Sequence, residues 1–431
     1  MTVIDLGELR GDVEPDPPPR PPRAVGRPLR AALAGAVALL TLATSTPVAR
    51  SASAVVPGRI GTEVLVVGGR LYVGDLERPG TGGTREVTVY APPAGAGGAL
   101  RPLWRTSVPG EEGLFQVREH GGLVLITGGE DGWAATVALD AATGRQRWRL
   151  PGFPVPTVGG GLLLFGRDED ETTDPLRVVD LSSGRPRWSA PVARGRTVYH
   201  HRGAEVDRVV LIPESGRIEV RDAGSGAVLR AEDPRPGGSP GYQGVSLAGD
   251  LLLVKANSGA GGGSRVTAYG LAALDRRWEL DLSANEYLEE CGDLICVGGR
   301  EAGLSALDPA TRRPRWVNPR WQWIVVARGD RLLVAARKAT LEFTVLDAAT
   351  GRTVAELGGW DPVFNQGPDE PLFGTRRTRE GGLLVAELDP ARAVARWLDV
   401  LPDAVGECYS SGRDLLCRRP SGAHGWWRLP R

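Results

Sequence analysis

Residues 138–148 read ALDAATGRQRW: the end of an apolar strand, a tight turn, then a tryptophan four residues past a glycine. The figure returns as VVDLSSGRPRW (178–188), IEVRDAGSGAVL (218–229), SALDPATRRPRW (305–316), TVLDAATGRTV (344–354) and AELDPARAVARW (386–397). Degenerate copies end at Trp104 and Trp278. With Leu229 and Val354 read as substitutes, the tryptophan position recurs at 104, 148, 188, 229, 278, 316, 354 and 397, a period of about 40 residues. Self-similarity at that period marks stacked supersecondary units, each unable to bury its faces alone.

Between one tryptophan and the next lie hydrophobic runs such as GGLVLITGG (121–129), GDLICVGG (292–299) and GDRLLVAA (329–336). Valine, leucine and threonine bounded by glycine and aspartate signal strands, and no stretch after residue 55 keeps a helical period. Four short antiparallel strands per unit is one propeller blade, so the fold class is an all-β propeller spanning 61–431. Eight four-stranded blades is the reading, with seven and nine as alternatives. The last segment, AVGECYSSG, RDLLCRR and GWWRLP, offers three strands without an outer one, as when a ring is completed from both chain ends.

The repeat's chemistry is architectural. Asp140, Asp180, Asp222, Asp308, Asp347 and Asp389 can accept hydrogen bonds from amides two residues on and start the turn. Gly144, Gly184, Gly226 and Gly351 supply the left-handed conformation that closes it. Trp104, Trp148, Trp188, Trp278, Trp316 and Trp397 then fall on the outermost strand, where their rings are expected to cover the gap to the next blade.

The amino end differs. Residues 1–30 carry PDPPPRPPR and mixed charge and read as a disordered cytoplasmic tail. Residues 31–49 run without a charge and read as a transmembrane signal-anchor, the N-terminal helix of the chain, followed by a 50–60 linker. Arg20, Arg23, Arg27 and Arg30 on the near side keep the tail inside and place the propeller outside, on a single-pass anchor in the cell membrane. The alternative is a secreted chain, cleaved near Ala54 at the small-residue run Ala52-Ser53-Ala54. Four cysteines in two close pairs suit an oxidising compartment: disulfides Cys291–Cys296 and Cys408–Cys417 are expected across hairpins turning at Asp293-Leu294 and Gly412-Arg413. Lysine occurs only at Lys255 and Lys338, a bias toward arginine that suggests a high-GC, actinobacterial genome.

The ALDAATGRQRW unit resembles the repeat of the quinoprotein-dehydrogenase-like, or PQQ-like, β-propellers, and the resemblance covers roughly 60–430. It implies the fold. Its implications for function are broad, because such propellers include quinone-cofactor dehydrogenases, an outer-membrane assembly scaffold and envelope proteins of unknown role. The calcium and quinone ligands of those dehydrogenases do not map onto this chain, and no cofactor or metal is expected. His200 and His201 are adjacent on a strand and should face opposite sides; His120 and His424 stand apart. The acidic run at 167–174, with Asp168, Asp170 and Asp174, lacks the glycine and bidentate glutamate of a calcium loop. Trp321 and Trp323 alternate in RWQWIVVARG, so they are expected to share one face of an inner strand and offer a ligand surface. Zero formal net charge removes the footprint of a nucleic-acid binder.

The expectation is a monomeric, membrane-anchored, non-catalytic scaffold for an envelope protein or glycan. A quinone- or metal-dependent dehydrogenase and a sensor signalling through the tail are the alternatives. Where the copies disagree, near 76–85, 167–175, 257–265 and 360–372, is where specificity should sit.

Overall fold

The computed structural model describes residues 51–431 apart from 59–60, 76–83, 110–112, 131–132, 167–175, 191–194, 214–215, 234–241, 258–261, 300–302, 338–340, 366 and 368–369. The tail, the apolar 31–49 segment and the acidic run therefore lie outside the described residues. Within them every regular element is a strand, and no helix is long and apolar enough to cross a membrane.

The strands pair as antiparallel meanders of four. Seven follow in order over 63–109, 114–151, 153–190, 195–232, 242–282, 286–318 and 323–359. The eighth comprises Asp361–Pro362, Phe373–Arg377, Leu383–Asp389 and Val394–Leu401. The third and fourth are joined into one sheet by a single parallel bridge, Thr157 to Val206. The last takes Gly406–Ser411, Asp414–Arg418 and His424–Arg428 from the carboxyl end and its outer strand, Ala52–Val56, from the other end of the chain. The interval 50–60, expected as a linker, thus carries a structural strand.

Between successive meanders lies one apolar core after another. Val117 and Val124 pack with Val87 and Val89, Leu162 with Leu125, and so on to Cys417 and Trp427 with Leu383 and Val385. The last core returns to the first: Val56, Leu416 and Trp426 pack with Val64, Val66 and Leu71. Adjacency therefore closes on itself.

The repeat motif works as a latch between neighbours. Asp140 Oδ1 accepts from the amides of Ala142 and Thr143 at 3.2 and 3.0 Å and from the Thr143 hydroxyl at 2.9 Å. Hydrogen bonds from Arg147 and then Thr143 hold its carboxyl down at about 2. Asp180, Asp222, Asp308 and Asp347 repeat the turn, and Asp389 keeps one amide bond from Arg392 at 3.0 Å. The turn carries its glycine at φ near +70°, and the indole of the preceding meander rests on it. A Cβ at Gly144 would stand 2.5 Å from the Trp104 ring; at Gly184, Gly226 and Gly351 it would stand 2.7, 2.6 and 2.5 Å from Trp148, Trp188 and Trp316. Each Nε1 donates to a backbone oxygen of the same turn: Trp104 to Ala141, Trp148 to Leu181, Trp188 to Ala223, Trp278 to Pro309 and Trp316 to Ala348.

A one-residue bulge in the outer strand aims the indole. Ala138 pairs with Trp148 but Leu139 with Gln146, so the ring faces the next meander. The same offset makes Arg230 and Ala355, rather than Leu229 and Val354, the equivalents of tryptophan. Where the indole is missing, the next turn dispenses with glycine: Leu274 follows Arg230 and Ala393 follows Ala355, both at φ 55°. Trp397 departs from expectation. Its strand has no bulge ahead of it, Asp389 pairing with Val394 and Ala386 with Trp397, so the register is displaced by one and the side chain falls on the other face. Trp397 is 71% exposed, and Leu398 packs against the next core instead.

Both cysteine pairs are bridged. Cys408–Cys417 spans facing strands that turn at Gly412-Arg413. The other hairpin turns at Gly292-Asp293, one residue earlier than expected. Cys291 is therefore opposite Leu294, and its bond to Cys296 runs diagonally across the ladder.

Two outcomes follow from this packing. Gly184→Ala should cost about 2–4 kcal/mol in denaturant unfolding, because it adds a clash with Trp148 to the left-handed penalty. Gly159→Ala, at φ +75° with nothing near, should cost only about 1 kcal/mol, and equal losses would show that the indole contact is unimportant. His424, buried opposite Val56, is pushed down to about 4 by burial and then by the charge of Arg418. The unfolded chain takes up that proton first, so stability is full above pH 6.5 and falls by about 3 kcal/mol as pH drops to 4. Unfolding midpoints of His424→Gln should lose that share of the pH dependence.

Candidate binding surface

In the first seven meanders the first-to-second and third-to-fourth turns lie at one end, and the second-to-third and inter-meander connections at the other. First strands of neighbouring meanders approach one another and form the inner wall. On the second, third and fourth meanders this wall carries a row of rings: Phe115 and Phe153 at 5.8 Å, Phe153 and Phe165 at 5.6 Å, Phe165 and Tyr199 at 5.9 Å. Local geometry places each one. Phe115 is the extra residue of a bulge between Leu114 and Gln116, which turns it toward the third meander. Phe153 and Phe165 are register partners, and Tyr199 faces the core shared by the third and fourth meanders. Phe115 is 43% exposed and the other three are half-buried, so the strip is open along its length. Burial pushes the Tyr199 hydroxyl up to about 12, leaving it a neutral donor.

Along the same strands the wall turns polar. Gln116 and Arg118 share a face, since Val117 between them is buried against the first meander. With its amide oriented to accept, Gln116 receives Nε and Nη2 of Arg118 at 2.9 and 3.1 Å. Arg118 is partly buried, which lowers its pKa, and no carboxylate pairs with it among the described residues. His201 stands nearby; burial, and then the charges of His200 and Arg118, lower its pKa. His200 Nδ1 meets Asp207 Oδ1 at 2.5 Å, and Arg202 Nη2 meets Asp207 Oδ2 at 3.0 Å. Asp207 is the residue left over by a bulge, since His200 pairs with Arg208 and His201 with Val206. Burial opposes its ionisation, but the His200 bond and the His200 and Arg202 charges hold its carboxyl below the usual range.

His120 Nε2 comes to 4.0 Å from Glu205 Oε1, so the second meander reaches the fourth across the third. The third meander's first strand, Phe153–Thr157, has five residues against seven and eight in its neighbours. The shorter strand leaves a groove with Phe153 and Val155 as floor, Phe115 and Arg118 on one wall and Tyr199 and His201 on the other. One end is aromatic, the other cationic.

The tryptophans singled out in the sequence do not join this surface. Trp321 is 1% exposed in the core between the sixth and seventh meanders, with the Arg320 guanidinium over its ring at 4.8 Å. Trp323 packs on the opposite core, between the seventh and eighth. The strand begins only at Trp323, so strand alternation does not link the two, and they share no face. Two clefts of about 380 and 360 Å³ flank the Cys291–Cys296 hairpin, the first beside Asp250, Arg277 and Glu290, the second beside Arg315 and Asp330. The aromatic row escaped sequence reasoning because its members have no common spacing and come from strands of three different meanders.

Strands in latched meanders of four, repeated with the D-x-x-[ST]-G turn and the outer tryptophan, define a β-propeller of the PQQ-like class. The chain belongs to the family described as outer membrane protein assembly factor BamB, whose PQQ_2 signature matches residues 34–280. No curated protein matches it in sequence. Among solved structures it is similar to BamB from Moraxella catarrhalis, at 14% identity over 88% of this chain and 97% of that one, with a TM-score of 0.42. A europium-containing methanol dehydrogenase aligns at 12% identity over 75% and 81%, with a TM-score of 0.40. The computationally designed Ika8 protein aligns at 12% over 88% and 99%, with a TM-score of 0.45.

Proposed function

We propose that this chain is a non-catalytic, protein-binding propeller of the cell envelope, with nine blades, one for each four-stranded meander. The observation that carries the reading is the open row of Phe115, Phe153, Phe165 and Tyr199. Soluble proteins seldom leave aligned aromatic rings in water, and such strips serve as contact surfaces for other macromolecules. Membership in a family described as an assembly factor supports a protein partner over a glycan.

Placement outside the cytoplasm, on the 31–49 anchor, is part of the proposal. Two disulfides agree with an oxidising compartment. Cleavage near Ala54 fits poorly, because Ala54 is buried and paired with Trp426 inside the closing blade.

A photo-crosslinking residue in place of Phe115 should yield a discrete adduct in cells that Phe153→Ala abolishes. Val317, 61% exposed on an outer strand, is the comparison site. Equal adducts at both positions, or none at Phe115, would overturn the assignment.

A further inference from the structure

A guanidinium withdrawn from water is costly unless an anion meets it. Arg118 sits partly buried on the wall of the groove and has only the neutral amide of Gln116. Among the described residues, the carboxylates around it are engaged elsewhere. Glu119 accepts from the Tyr72 hydroxyl at 2.6 Å on the opposite face of the strand. Glu205 faces His120, and Asp207 is held between His200 and Arg202. The charge left over at this end of the groove is positive. Arg118 lies three residues beyond the bulged Phe115 on the same strand.

We propose that the groove binds a segment of a partner protein that carries an aromatic side chain and a nearby carboxylate, the ring on Phe153 and the carboxylate on Arg118. This rests on the scaffold reading above and adds the partner's chemistry. The carboxylate gives Arg118 an anionic partner that the described residues do not supply, and a planar guanidinium suits it geometrically.

The test titrates a fluorescein-labelled Gly/Ser decapeptide containing Phe-Ser-Ser-Asp onto the purified full-length chain. Two control peptides carry Asn for Asp and Ala for Phe. The Asp peptide should bind about tenfold more tightly than the Asn peptide, with an advantage that shrinks as salt rises. Arg118→Gln should bring the two within about twofold, while Phe153→Ala weakens both. The salt series on the unmodified chain reads the ion pair even if Arg118→Gln folds poorly. Equal affinity for the Asp and Asn peptides overturns this inference and leaves the scaffold reading intact. Absence of binding by all three overturns it too, and the Phe115 crosslink then shows separately whether the scaffold reading survives.

Discussion

The contact on which the propeller depends is an indole lying on a bare glycine. The turn must cross the left-handed region, which favours glycine, and the ring of the preceding blade needs the space that a Cβ would fill. Conformation and packing thus demand the same residue at Gly144, Gly184, Gly226 and Gly351. The dependence runs both ways within one chain. Where tryptophan gives way to Arg230 or Ala355, the following turn carries Leu274 or Ala393. Trp278 is the exception, meeting Arg312 in place of glycine, and it keeps its bond to Pro309 O. A chain of such pairings carries order from blade to blade, much as interface terms do in linear repeat proteins.

The repeat was legible because it is local: a turn, its aspartate and its tryptophan lie within about ten residues of one another. What was illegible depended on register. Whether a tryptophan faces its neighbour turns on one bulged residue, present before Trp148 and absent before Trp397, and nothing in DPARAVARW announces the difference. The turn of the Cys291 hairpin came out one residue off for the same reason. The aromatic row was hidden more deeply. Its members come from three successive blades, Phe153 and Phe165 from paired strands of one, and meet only when the blades pack side by side. A pattern read along the chain does not reveal such a surface.

The two ends of the propeller have separate duties. Short turns hold the latches, and there the copies agree. The longer connections hold the departures between copies, including the segments near 167–175 and 257–265, and Phe115 and Phe153 rise from that side. Between the ends, the short strand of the third blade lets its neighbours' side chains overlook a groove. A binding surface thus arises from an irregularity in a regular array, without an added domain.

The strand Ala52–Val56 also sets a timetable. It is among the first parts of the propeller to leave the ribosome, yet its ladder partner, His424–Arg428, is among the last. Until synthesis ends, Val56, Val64 and Leu71 have no Trp426 or Leu416 to cover them. Inner blades can settle in order as they emerge, each on the one before, but the circle can close only after termination. Closure pairs strands about 370 residues apart, the kind of non-local contact that forms late and slowly in folding. A chain lacking Ala52–Val56 or His424–Arg428 would have folded blades and an open ring.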